Sequence, residues 1–204
     1  MKKTTGLTLV EMLVVVVLSF LLLVMIHQLL TPLFGSSRAT TVSAYQSQQA
    51  HLFMERFAKD IKQSRGGGLS YLPSAANQRS VVTISKPERL SDEGLPIYQA
   101  RLTVYRWSPL EETLELFHLE PGDSLWPATF DPTRPLHLKE DALIDLAAAS
   151  PPSRILASKV TQFEPFADWP IRGSVDAGLT LSERAPGQNK VSEFSLRHQI
   201  TLRQ

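Results

Sequence analysis

The stretch from Lys2 to Ser19, KKTTGLTLVEMLVVVVLS, decides how the rest of the chain is read. From Leu7 to Leu33 the only strongly polar residues are Glu11, His27 and Gln28, and the run from Met12 to Ile26 is interrupted only by Ser19. About 20 residues at about 1.5 Å each cross a hydrocarbon layer of about 30 Å, so this segment is long enough to span a membrane. Lys2 and Lys3 precede it and no acid does, which by the positive-inside rule places the amino terminus in the cytoplasm and everything after residue 35 on the far side. Glu11 is the anomaly. A carboxylate within a membrane helix costs about 2.5–3.5 kcal/mol even on a lenient insertion scale, so Glu11 needs a partner.

Working outward, Pro32 and Gly35 mark a kink, because proline removes one helical hydrogen bond and clashes with the preceding turn. Helical spacing resumes in ATTVSAYQSQQAHLFMERFAKDIKQSR (39–65). Val42, Tyr45, Gln49, Phe53, Phe57 and Ile61 recur at three or four residues with Ala50 and Met54 beside them, and Gln46, Gln48, Glu55, Lys59 and Lys62 are assigned to the water face. Lys62, Arg65 and the glycines at 66, 67 and 68 form a stop signal. No strand precedes those glycines and no Lys-Ser or Lys-Thr follows, so they are read as a helix cap and not as a phosphate cradle.

Beyond residue 80 the period changes to two. Val81–Ser85, Ile97–Trp107 and Thr113–Glu120 are predicted strands, the last two forming a hairpin through SPLEE, and further strands are predicted over 154–166 and 174–183. In FSLRHQITLR (194–203) Phe194, Leu196, His198, Ile200 and Leu202 share one face while the residues between them share the other. EPGDSLWPATFDPTRP (120–135) is predicted to be an irregular loop packed by Trp126 and Phe130. The fold class expected is α+β: a long kinked helix whose C-terminal half, residues 38–65, packs on one antiparallel β-sheet drawn from residues 80–204.

The 204 residues carry 21 Lys and Arg against 20 Asp and Glu, a balance that gives no reason to expect a nucleic-acid partner through bulk charge. With no cysteine, a disulfide framework, a thiol nucleophile and a thiolate metal site are excluded. The five histidines, at 27, 51, 118, 137 and 198, show no paired spacing, and neither Asp92–Glu93 nor Asp131, Asp141 and Asp145 have the spacing of a calcium loop. No serine stands in a nucleophile elbow. No catalytic residue, metal ligand or cofactor is assigned.

The opening stretch resembles the class III signal of type IV prepilins and type II secretion pseudopilins, a basic leader ending in glycine, then a hydrophobic residue, T-L-x-E and an apolar helix. That resemblance implies a leader (1–6) removed by a prepilin peptidase between Gly6 and Leu7, N-methylation of Leu7, a transmembrane and filament-core segment (7–35), and an exported globular part (36–204). It also gives Glu11 a partner. Cleavage creates an α-ammonium on Leu7, one helical turn before Glu11 on the same face, and two unit charges about 4 Å apart attract by about 4 kcal/mol at an effective dielectric near 20. In a filament the carboxylate would meet the terminal amine of a neighbouring subunit. FMERFAKDIKQS, with Asp60, is similar to the helix end of GspJ and PilW-type minor subunits. The function implied is a minor structural subunit of a type IV pilus or a type II secretion pseudopilus, without enzymatic activity, in a tip or initiation complex. Its partners would be the peptidase, other minor and major pilins or pseudopilins and an inner-membrane assembly platform, with DNA only where the filament serves DNA uptake. A membrane-anchored periplasmic binding module that does not polymerise is the alternative.

Overall fold

A computed structural model describes residues 9–64, 67–75, 78–166, 174–184 and 191–202. The protein is α+β, with an N-terminal apolar helix and antiparallel sheets. In chain order the elements are α1 (Leu9–Gln63), β1 (Leu69–Leu72), β2 (Ser80–Leu90), β3 (Pro96–Ser108), β4 (Thr113–Leu119), α2 (Glu140–Ala148), β5 (Arg154–Ser158), β6 (Val160–Glu164), β7 (Ser174–Arg184) and β8 (Val191–Thr201). Two compact units result, Met1–Ser43 and Ala44–Gln204. The first is described here only through its helix. The second carries both sheets.

Instead of the single sheet expected, the strands form a five-stranded sheet in the order β1-β2-β3-β4-β5 and a three-stranded sheet in the order β6-β7-β8. The segment 154–166, read as one strand, breaks at Lys159, whose φ of 63° lies in the left-handed region. Up to Ser158 the chain pairs with β4, and from Val160 it pairs with β7. Polar groups at the break are satisfied by both sides. The Val160 amide donates to the Glu112 carbonyl at 2.9 Å, the Ser182 amide to the Lys159 carbonyl at 2.9 Å, and the Trp107 indole to the Val160 carbonyl at 3.0 Å.

One face of the five-stranded sheet presents Val82, Ile84, Tyr105, Trp107, Leu114, Leu116 and Ala157 to the same core as Phe53, Met54, Phe57 and Ile61 of α1. Into this core the three-stranded sheet sends Phe163, Val175, Leu179 and Ile200. Its centre is aromatic: Phe57 meets Tyr105 edge-on at 5.1 Å between centroids, and Phe53 meets Phe163 in the same way at 5.5 Å. The other face, with Val81, Leu102, Val104 and Phe117, is covered by Leu138, Leu143, Leu146 and Ala147. Helix α2 supplies most of that cover, and the sequence reading missed it together with β1. Consequently β3 departs from the expected period of two, and every residue from Leu102 to Ser108 is buried.

Two assignments on α1 change. Tyr45 is 57% exposed, whereas Gln46, assigned to water, is only 3% exposed. Helix geometry explains the exchange: at about 100° per residue, Tyr45 lies about 80° round from Phe53 and Gln46 only about 20° from it. The buried stripe therefore runs through Gln46, Ala50, Phe53, Phe57 and Ile61. Gly66 and Arg65 of the expected stop signal lie outside the described residues. Gly68 meets the start of the sheet, where a Cβ would stand 2.5 Å from the Ser85 carbonyl oxygen. The loop over 120–135 is irregular as expected, with the Trp126 and Phe130 rings 5.6 Å apart.

Candidate functional site

The amino-terminal segment of α1 is the most conspicuous chemical feature. Leu9–Thr31 is 23 residues long, its most apolar 18-residue stretch has a mean hydropathy of 3.0, and the protein itself buries none of that stretch. Large side chains are exposed all round it, from Leu9, Leu13 and Val17 through Phe20, Leu23 and Ile26. A helix apolar on every side needs an apolar medium on every side. Near its end Thr31 turns its hydroxyl inward and donates to the His27 carbonyl at 2.8 Å, with the His27 Nδ1 3.2 Å away. The polar group is thus satisfied within the helix, as a segment crossing hydrocarbon requires.

Glu11 stands exposed in the first turn of α1, where the positive end of the helix dipole favours a carboxylate. Gly6 and Leu7 lie outside the described residues. Pro32 and Gly35 fall within the span assigned to α1, Leu9–Gln63.

Asp60, the acid of the FMERFAKDIKQS stretch, also has a definite setting. It is 7% exposed on α1, accepts a hydrogen bond from the Tyr105 hydroxyl at 2.7 Å through Oδ2, and meets the Lys86 Nζ at 2.7 Å through Oδ1. Burial first, and then the Asp60 charge, hold the Tyr105 phenol far above its ordinary range, so it remains the donor. One carboxylate therefore ties the last turns of α1 to both β2 and β3, and the arrangement is a fastening.

The remaining residues considered for chemistry are dispersed. His51 lies against the Phe194 ring, with centroids 6.1 Å apart, and the His137 Nδ1 is 3.3 Å from the Leu69 carbonyl. His198 is a half-buried strand histidine on β8. His118 is half-buried on β4 with its Nδ1 unpartnered. Desolvation, then Arg101, Lys86 and Arg56, lower its pKa, against an opposing contribution from Asp60. Asp131 is held in a turn by Thr133, whose amide and hydroxyl donate to its Oδ1 at 2.9 and 2.7 Å and lower its pKa. Among the described residues no group of three or more histidines and acids is assembled to hold a metal ion.

Sequence reasoning passed over the arginines that seat α2. Arg106, 3% exposed, donates through Nε and Nη2 to the Glu115 Oε2 at 3.0 and 2.6 Å. Its Nη1 reaches the carbonyls of Leu146 and Ala149 at the negative end of α2, and Arg79 donates to those of Ala147 and Ala149. The available signal was register: Arg106 and Glu115 oppose each other in the β3–β4 hairpin.

No family model matches the chain, and neither a curated protein nor a solved structure matches it.

Proposed function

We propose that the chain is a prepilin-like minor subunit that is cut after Gly6, N-methylated on Leu7 and assembled through its apolar helix into a type IV pilus or a type II secretion pseudopilus. The observation that carries this reading is the apolar helix Leu9–Thr31, none of whose most apolar stretch the protein buries, with Glu11 in its first turn and the Gly6-Leu7-Thr8 sequence immediately before it. On this reading the finer fold is pilin-like, with α1 kinked around Pro32 and Gly35 and packed by its C-terminal half against the sheets. Before assembly the helix anchors the subunit in the inner membrane, with Lys2 and Lys3 in the cytoplasm and the head in the periplasm. During assembly the helices of neighbouring subunits replace the lipid as apolar solvent. Glu11, whose insertion costs energy in lipid, then gains the terminal ammonium of its own or a neighbouring subunit and sets the register between protomers. The GspJ and PilW likeness of the Asp60 region favours a place in the tip or initiation complex, alongside other minor subunits and the assembly platform. The work is assembly, not catalysis.

Mass spectrometry of the natively produced amino terminus tests the processing step: the mature chain should begin at Leu7 and carry one methyl group, and a Gly6 substitution should leave the leader attached. An unchanged mass and terminus in that variant would refute processing. For assembly, Glu11→Ala should remain in the membrane fraction and disappear from sheared filaments or from the isolated tip complex. If it is recovered there at wild-type level, the chain is an anchored binding module.

A further inference from the structure

We propose that the edge of β8 left open among the described residues, with the cleft beside it, accepts an extended acidic segment of a partner polypeptide, which adds a fourth strand to the β6-β7-β8 sheet. Strand β8 is 11 residues long, and among the described residues it pairs on one side only, with β7. That pairing runs from Ser174↔Thr201 to Arg184↔Val191 without a register shift. Such an edge is usually blunted by a bulge, a proline, charged side chains or a cover; β8 contains no bulge and no proline, and its two charges, Glu193 and Arg197, are exposed on the face away from Phe194, Leu196 and His198. The opposite edge, β6, spans only 5 residues and carries an irregularity between Val160 and Gln162.

Burial across the sheet falls off toward this edge. On β7 the inward residues Ala177, Leu179 and Leu181 are at most 2% exposed. Their partners across the ladder, His198, Leu196 and Phe194, are only half-buried. The inner face of β8 therefore lacks part of its cover. Beside it lies a cleft of about 720 Å³ between α1 and β8, lined by Glu55, Ala58, Lys59, Lys62, His198 and Thr201. A strand added at the usual spacing of about 4.8 Å would direct alternate side chains into this cleft and the others toward solvent. Lys59 and Lys62 form no ion pair among the described residues and outnumber Glu55, so the complementary occupant carries an acid among β-branched residues. A second copy of β8 fits less well, since the face it would bring to the lysines carries Phe194, Leu196 and His198, and its one acid, Glu193, lies on the opposite face.

The inference holds whether or not the chain polymerises. Its test uses the full chain in detergent micelles and three fluorescein-labelled peptides: VTDTVTVTV, whose acid and valines share one face, its lysine analogue VTKTVTVTV, and the first peptide with alternate backbone amides N-methylated. Anisotropy should show the acidic peptide bound about tenfold more tightly than the lysine analogue, with binding lost on N-methylation, because main-chain hydrogen bonds carry the affinity. A Lys59→Glu, Lys62→Glu double variant, altered only at exposed positions, should reverse the charge preference while its circular dichroism is unchanged. Equal binding of the N-methylated peptide, an unreversed preference, or no binding by the folded chain would each overturn the proposal. So would a chain dimer that the acidic peptide does not dissociate, since the edge would then belong to a second copy.

Discussion

The two halves of α1 meet opposite solvents. From Leu9 to Thr31 apolar side chains point in every direction and none of the most apolar stretch is buried by the protein, whereas Ala50, Phe53, Met54, Phe57, Ala58 and Ile61 keep to one face and are at most 4% exposed. A stripe can be satisfied by the chain's own sheets, but a helix apolar all round can be satisfied only by lipid or by other helices. The difference is one of where stability resides: the second half contributes to the stability of the head, and the first waits for a medium.

The largest expected effect sets these halves against each other. Phe57→Ala should cost the head about 4 kcal/mol in urea unfolding, as truncation of a fully buried aromatic does, and Leu22→Ala should change the same unfolding free energy by less than about 0.5 kcal/mol. A comparable loss from Leu22→Ala would abolish the distinction. Next comes the fastening. Asp60→Ala strands Lys86 and the Tyr105 hydroxyl and should cost about 3 kcal/mol, while Lys86→Met made together with it should recover part of the loss, as measured by a double-mutant cycle. Lys159→Gly should raise the stability by up to about 1 kcal/mol, because glycine adopts the left-handed conformation at the sheet junction without the Cβ clash.

The smallest effect is a pH dependence. His118 has a folded-state pKa below its unfolded value, so the unfolded chain binds the additional proton. The neutral form faces Arg101, Lys86 and Arg56, with Asp60 as the opposing charge. Stability is therefore full above the unfolded pKa of about 6.5 and falls as pH drops from there to the folded pKa. His118→Gln should flatten that decline in denaturation curves taken across the interval, and an unaltered slope would assign it to another group.

Much of this contrast was legible in residue order. The apolar run is a matter of length and composition, and β8 shows its alternation in the letters themselves, with half-buried Phe194, Leu196 and His198 between exposed Ser195, Arg197 and Gln199. What was missed depends on contacts distant in sequence. β3 looks like a one-sided strand until α2 covers its second face, and α2 has 9 residues behind a proline-rich loop, too few to show a strong period. The break at Lys159 leaves a faint trace, since buried Ala157 and Val160 are three apart and cannot share a face of one regular strand. Tyr45 and Gln46 exchanged places because a row spaced by four drifts round the helix. At the site, Glu11 stood out as an acid in an apolar helix, whereas the role of Asp60 waits on Lys86 and Tyr105, which only folding brings to it.

The core shared by Ala50 and Ile200 also fixes a timetable. Phe53 and Phe57 are synthesised well before β7 and β8, whose residues share their core. Contacts so far apart in sequence must wait for a long loop to close, which slows folding. Until β8 is complete, the second half of α1 exposes its aromatic stripe just as the first half exposes its own apolar surface. A chain stopped before Ile200 would therefore retain both halves of the helix in need of an outside partner.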